Sequence, residues 1–151
     1  MASPTLPRGA LLRPEGVTVT SSIDQNKAVV RRFMTEVLEG GDFDAIDEVL
    51  APNYVNAGMG GIDLAGFKAM LPSIGAVISG MRFNIQDLVA EGDAVVARFT
   101  SEITLATGEK VDGRGMTFYR LADGKIVEDD PIETPDLAPM LAAHMPPPPS
   151  A

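Results

Sequence analysis

The chain contains no cysteine, which excludes disulfides, iron–sulfur clusters and thiol nucleophiles. It contains a single histidine, His144, near its end. No site with two or three histidine ligands can form within one chain, and a Ser-His-Asp triad finds no support. Basic residues are scarce: 12 Lys and Arg stand against 21 Asp and Glu, a formal net charge of −9. Without a basic stripe, nucleic acid and anionic membranes are poor partners. No apolar run is long enough to span a bilayer, and the N-terminal stretch lacks an apolar core of signal-peptide length. The sequence therefore reads as cytoplasmic. The 151 residues are 45% hydrophobic, the size of one domain. Such a domain buries roughly 70% of its unfolded surface, enough for a core and a pocket.

Three regions follow from composition. Residues 1–21 hold Pro4, Pro7 and Pro14 without sustained periodicity and read as a flexible tail. Residues 22–142 read as a single domain. Residues 143–151 form a proline-rich tail, extended at residues 146–149. Within the domain, Ser22-Ile23-Asp24-Gln25 is a capping box that starts a helix reaching about residue 39. Val30, Phe33, Met34, Val37 and Leu38 form its apolar stripe, and Gly40-Gly41 ends it. A second helix covers about residues 43–50, and Asn53 to Asn56 is a short extended piece. Asp63 caps a third helix, which Pro72 kinks or ends. From Met81 the apolar period becomes two, and four strands follow at about residues 81–90, 94–105, 110–121 and 125–130, with Pro131 ending the last. Helices first and antiparallel strands after predict an α+β fold, with helices on one face of a curved sheet.

The stretch from residue 116 to residue 133 concentrates the chemistry. Asp123-Gly124 is a two-residue hairpin turn. Counting outward, Leu121 faces Ile126, Tyr119 faces Glu128 and Phe118 faces Asp129. Met116, Phe118, Val127 and Asp129 then share one face; Thr117, Tyr119, Leu121, Ile126, Glu128 and Asp130 share the other. At least one aspartate shares a face with large apolar side chains, where a raised pKa makes a carboxyl group a usable acid or base near neutrality. A β-bulge near Glu128 would exchange Asp129 and Asp130. The plainer reading is a solvated strand end.

Other candidates accompany the aspartates. Arg98 shares a strand face with Thr100 and Glu102 and could pair with a carboxylate or hold an enolate oxygen; its plainer reading is a surface arginine. Tyr54 and Asn56 alternate onto one face and could hold water or a substrate oxygen. Phe33, Met34, Met59, Phe67, Met70, Thr100, Met116 and Phe118 are the candidate substrate-binding residues, because methionine adapts its shape to flexible apolar ligands. Met81 joins this apolar set. Arg114, Tyr119 and Arg120 are expected on the outer face or rim, and Glu133 and Asp136 in solvent.

The segments NKAVVRRFMTEVLEGGDFDAIDEVLAPNYVNAG, DLVAEGDAVVARFT and FYRLADGKIVED, in that order, resemble the SnoaL-like polyketide cyclases of the nuclear transport factor two-like superfamily. The likeness spans about residues 23–141. It implies a cone-shaped α+β barrel, a curved antiparallel sheet with the N-terminal helices on its concave face and a pocket at the wide end. It also implies a homodimer through the outer sheet face and cofactor-independent chemistry. Two departures stand out. Where the cyclases carry Gly-Thr-His, this chain has residues 100–105 as TSEITL, so the family histidine is missing. Where they carry Glu-x-Trp after the turn, Glu128 is kept and Asp130 replaces the tryptophan. Simple register places the family's acid–base aspartate at Pro131; Asp129 has the matching parity.

Limonene-epoxide-hydrolase-type members hold a water with a Tyr-x-Asn pair and use an Asp-Arg-Asp set. Tyr54-Val55-Asn56 resembles the pair and Arg98 the bridging arginine, but Thr100 stands at the following aspartate. The resemblance implies a cyclase or isomerase acting by carboxylate acid–base chemistry on an apolar oxygenated small molecule of natural-product biosynthesis. Asp129, Asp130, Arg98, Tyr54 and Asn56 are its catalytic candidates, with no metal or cofactor. Epoxide hydrolysis or epoxide-opening cyclisation, and non-catalytic binding, are the alternatives.

Overall fold

The computed structural model describes residues 22–144. The expected tail over residues 1–21, and the expected C-terminal tail from residue 145 onward, lie outside the described residues. Residues 143 and 144, expected in that tail, close a final helix.

Helix α1 (Ser22–Arg32) runs into a π-helical stretch at Phe33–Glu39, where a plain α-helix was expected. The wider π turn brings residues five apart into line. A 3-10 turn (Phe43–Ala45) and α2 (Ile46–Val49) lead into strand β1 (Leu50–Asn56). A second 3-10 turn (Ala57–Met59) and the two-residue β2 (Ile62–Asp63) precede α3 (Leu64–Val77). Asp63 caps α3 as expected, accepting from the Gly66 N–H at 2.8 Å. Pro72 lies inside α3 and does not end it. Strands β3 (Ile78–Glu91), β4 (Ala94–Leu105), β5 (Lys110–Ala122) and β6 (Lys125–Thr134) follow, then α4 (Ala138–His144).

The sheet order is β2-β1-β6-β5-β4-β3. This corrects the expected cone-shaped antiparallel barrel on two counts. The sheet is mixed, because β1 pairs with β6 in parallel. It is also open: β2 and β3 are its two edges, whereas closure requires an unbroken ring of strand pairing. Helices cover one face in place of more sheet. Val30, Phe33, Met34 and Val37 pack in one core with Val95, Ala97, Phe99, Tyr119, Leu121 and Ile126 of the strands.

Two features of β6 set the site. First, Leu121 faces Ile126 as the turn predicts, but Arg120 then faces Glu128, Tyr119 faces Asp129 and Phe118 faces Asp130. Val127 is therefore the extra residue of a β-bulge, and the two aspartates exchange faces. Second, β6 continues through Pro131 to Thr134. β1 pairs with β6 only as far as Asn56 opposite Asp129. Beyond that point β6 has a free side, where a residue without an N–H is tolerated.

Candidate active site

A cavity of about 200 Å³ lies between the helices and the inner sheet face. Its walls are mostly apolar: Phe33, Met34 and Leu38 come from the π-helical stretch, and Met81, Phe83, Phe99 and Ile103 from β3 and β4. The five-residue spacing of Phe33 and Leu38 suits the π turn, which aims both at the same space. Met59, Phe67, Ile74, Leu137 and Leu141 also line it. The polar lining residues are Asn56, Thr117, Tyr119, Asp129, Glu133 and Asp136.

Asp129 is buried, at 5% exposure, on the cavity wall. The Tyr54 hydroxyl donates to its Oδ2 at 3.1 Å. Asn56 Nδ2 donates to the Tyr54 oxygen at 3.3 Å. The Met59 N–H donates to Asn56 Oδ1 at 3.0 Å. Asn56 is thus the cap of the Ala57–Met59 turn, and that cap fixes which way its amide points. The result is a one-directional chain from backbone to carboxyl group. Burial pushes the Asp129 carboxyl up to about 7; the Tyr54 hydrogen bond opposes this by favouring the carboxylate, and the charges of Glu133 and Asp130 add to the rise. Burial, with the nearby Asp129 charge, pushes Tyr54 well above the ordinary phenol range, so Tyr54 remains a donor. Tyr119 is raised for the same two reasons.

The turn that holds Asn56 is itself braced by a missing side chain. A Cβ on Gly58 would lie 2.5 Å from Pro131 Cδ and 2.9 Å from the Pro131 carbonyl oxygen. Both groups are fixed, so Gly58→Ala is expected to destabilise the fold by about 1–3 kcal/mol through overpacking, read by urea unfolding. A variant as stable as the wild type would show that this turn yields freely.

The expected site residues divide between the two faces. Asp129, Tyr54 and Asn56 come together. Phe33, Met34, Met59 and Phe67 line the cavity, and Met81 with them, while Met70 packs against the core behind it. The remainder require correction. Arg98 lies on the outer face, half exposed, with its Nε 2.7 Å from Asp87 Oδ2. Thr100 shares that face by strand parity. Met116 is 54% exposed. Phe118 faces outward beneath the Arg120 guanidinium, 5.2 Å from the ring centroid. Asp130 pairs in register with Phe118 and does not line the cavity. The inner face of β4 is made by Val95, Ala97, Phe99, Ser101 and Ile103, so apolar side chains take the position foreseen for the arginine.

Tyr119, expected on the rim, is buried beside Asp129. Glu133, expected in solvent, is half-buried and lines the cavity. Strand parity would have found both, given the bulge and a β6 that passes Pro131. Among the described residues no cluster of three or more His, Asp or Glu side chains could hold a metal ion, and no helix is long and apolar enough to cross a membrane.

The family described as SnoaL-like domain matches residues 30–129. No curated protein matches the chain. Among solved structures, a candidate polyketide cyclase of Acidithiobacillus ferrooxidans is 24% identical, with a TM-score of 0.66, covering 85% of this chain and 100% of the other. IdmH, a candidate polyketide cyclase of Streptomyces antibioticus, is 22% identical, with a TM-score of 0.65, covering 79% and 99%. An LEH-like epoxide hydrolase of M. tuberculosis is 22% identical, with a TM-score of 0.63, covering 74% and 84%. At these identities the structures establish a shared fold.

Proposed function

The chain belongs to the SnoaL-like domain family, and from that premise we propose that it is a cofactor-independent cyclase or isomerase acting on an apolar, oxygenated small molecule of the polyketide kind. The observation that carries this reading is Asp129, a carboxyl group buried on an apolar cavity and held by Tyr54. Near neutrality it retains a proton that it can deliver to a substrate oxygen and recover as product forms. Tyr54 occupies Oδ2, which leaves Oδ1 for the substrate. Tyr54 and Asn56 position the carboxyl group, and the lining holds the carbon skeleton by apolar contact and excludes water.

The test is proton exchange. In deuterated buffer, 2-tetralone and related bicyclic ketones should exchange the hydrogens alpha to the carbonyl faster with the protein than without it. The Asp129→Asn variant should lose that acceleration. A panel in which bound ketones show no acceleration would replace the enzyme with a small-ligand binder.

A second reading is favoured by the Tyr54-x-Asn56 pair and by the fold likeness to an epoxide hydrolase. The same Asp129 proton would open an epoxide, by water or by an internal hydroxyl group. A diol or cyclic ether formed from styrene oxide or a hydroxy-epoxide would select this reading.

The outer sheet face belongs to the proposal as well. Met116 and Ile132 lie opposite each other on β5 and β6, 54% and 74% exposed. A second copy of the chain would cover them. Ile132→Asp is expected to convert a dimer to a monomer by light scattering; a wild type that is already monomeric at high concentration would remove this part of the proposal.

A further inference from the structure

We infer that Glu133 is the second proton-transfer group of the cavity and acts as the base to the acid Asp129, an assignment that rests on the acid role proposed for Asp129. Glu133 lies four residues beyond Asp129 on β6, so both face inward. Their Cα atoms stand about 13 Å apart along the strand at ordinary strand rise. The two groups therefore address different atoms of one bound molecule. A hollow in β5 accommodates the glutamate. A Cβ on Gly115, directly opposite Glu133, would lie 2.8 Å from Glu133 Cγ and 2.9 Å from Phe99 Cζ. The side chain thus crosses the place where any larger residue would stand. Glu133 also lies beyond the family match, which ends at residue 129.

Burial differs between the two groups, and this sets their roles. Asp129 is buried and Glu133 half-buried, so Asp129 keeps its proton to higher pH. Burial and the charge of Asp136 still hold Glu133 above the ordinary carboxylate range. Tyr119 from β5 faces both carboxyl groups and Tyr54 from β1 faces Asp129, each as a neutral phenol. Arg98 and Arg114 border only the groove beyond Gly115, which also reaches Glu133. Between the two titrations the cavity holds one carboxylate and one carboxylic acid, the pairing that acid–base catalysis needs.

The step balances. The Glu133 carboxylate takes a proton from carbon alpha to a carbonyl, and the C–H pair becomes a C=C bond. The carbonyl π pair moves to oxygen, which takes the Asp129 proton and gives an enol. For isomerisation of a ketone with a C=C bond β,γ to the carbonyl, the enol is a dienol. Its proton returns to Asp129 and the carbonyl re-forms. The enol C=C pair shifts to the α,β position, and the former C=C pair takes the Glu133 proton at the γ carbon. For ring closure, the enol carbon attacks a second carbonyl of the same molecule while the enol proton returns to Asp129 and the first carbonyl re-forms, and Glu133 protonates the new alkoxide.

The test is the pH profile of 2-tetralone exchange in wild type, Glu133→Gln, Glu133→Asp and Asp129→Asn. Wild type should give a bell. Glu133→Gln should lose at least tenfold in rate together with the ascending limb, and Glu133→Asp should restore the limb. Gly115→Ala, which displaces the carboxyl group without removing it, should weaken exchange as well. If Asp129→Asn abolishes exchange while Glu133→Gln keeps the full rate and both limbs, Glu133 is not the base and the reading of Asp129 stands. If the wild type accelerates no exchange, that reading fails and this inference with it.

Discussion

Replacing Asp129 by Asn is expected to lower the rate of the catalysed reaction by about 10²–10⁴-fold, the range typical of a positioned acid or base, with little change in ligand affinity. The substitution keeps the shape of the side chain, and its Oδ1 can still accept from Tyr54. What disappears is the transferable proton. In the wild type that proton is held up to a pH of about 7, so activity should fall as pH rises through that value. Tyr54→Phe provides a second readout. The Tyr54 hydrogen bond favours the charged carboxylate, so its loss should move the alkaline limb to higher pH while leaving a measurable rate. Steady-state rates between pH 5 and pH 9 decide the matter. An Asp129→Asn variant with the wild-type rate, or a wild type whose activity rises through pH 7, would remove Asp129 from the chemistry.

How much of this site could be read in the sequence depends on local backbone detail. The turn at Asp123-Gly124 was legible because few residues accept its dihedral angles; both have positive φ, 51° and 77°. The pairing of Leu121 with Ile126 followed from it directly. The next pair did not, since one unpaired residue, Val127, inverts the facing of every residue beyond it. Without the bulge, Asp129 would share a face with Phe118 and Met116. With it, the aspartate shares a face with Tyr119 and the core.

Proline misled in a similar way. Pro131 reads as a strand end, because it cannot donate to a ladder. In the fold it lies where β6 has lost its β1 neighbour, and the strand runs on to carry Glu133 inward. Arg98 misled for another reason. Its shared face with Thr100 follows from parity, but the likeness to the bridging arginine of the epoxide hydrolases placed that face inward. The apolar alternates, Val95, Ala97 and Phe99, were the better guide. The α+β class and the Asp63 cap of α3 were legible because they depend on local patterning. The mixed, open sheet was not, because the parallel partnership of β1 and β6 joins segments about 75 residues apart.

Stability should respond to the same carboxyl group with a definite sign. The folded-state value of Asp129, about 7, lies above its ordinary value of 3.8. Below about pH 4 both folded and unfolded chains hold the proton, and the group exerts no pH-dependent effect. As pH rises towards 7 the unfolded chain releases its proton while the folded chain keeps it, so this contribution lowers stability with increasing pH. Above about pH 7 the folded group is charged too, and the loss is complete. At about 1.4 kcal/mol per pH unit the whole effect is on the order of 4 kcal/mol. Glu133, also raised, contributes in the same direction. Asp129→Asn removes the titration without removing the side chain. The variant should therefore be more stable than the wild type at pH 8 and lose that advantage at pH 4.5, as measured by urea unfolding at both. The difference between the two proteins isolates this group from the other acidic residues, whose titrations are common to both. If the advantage were equal at both pH values, Asp129 would be titrating as an ordinary exposed carboxyl group, and neither the acid role nor the pairing with Glu133 would survive.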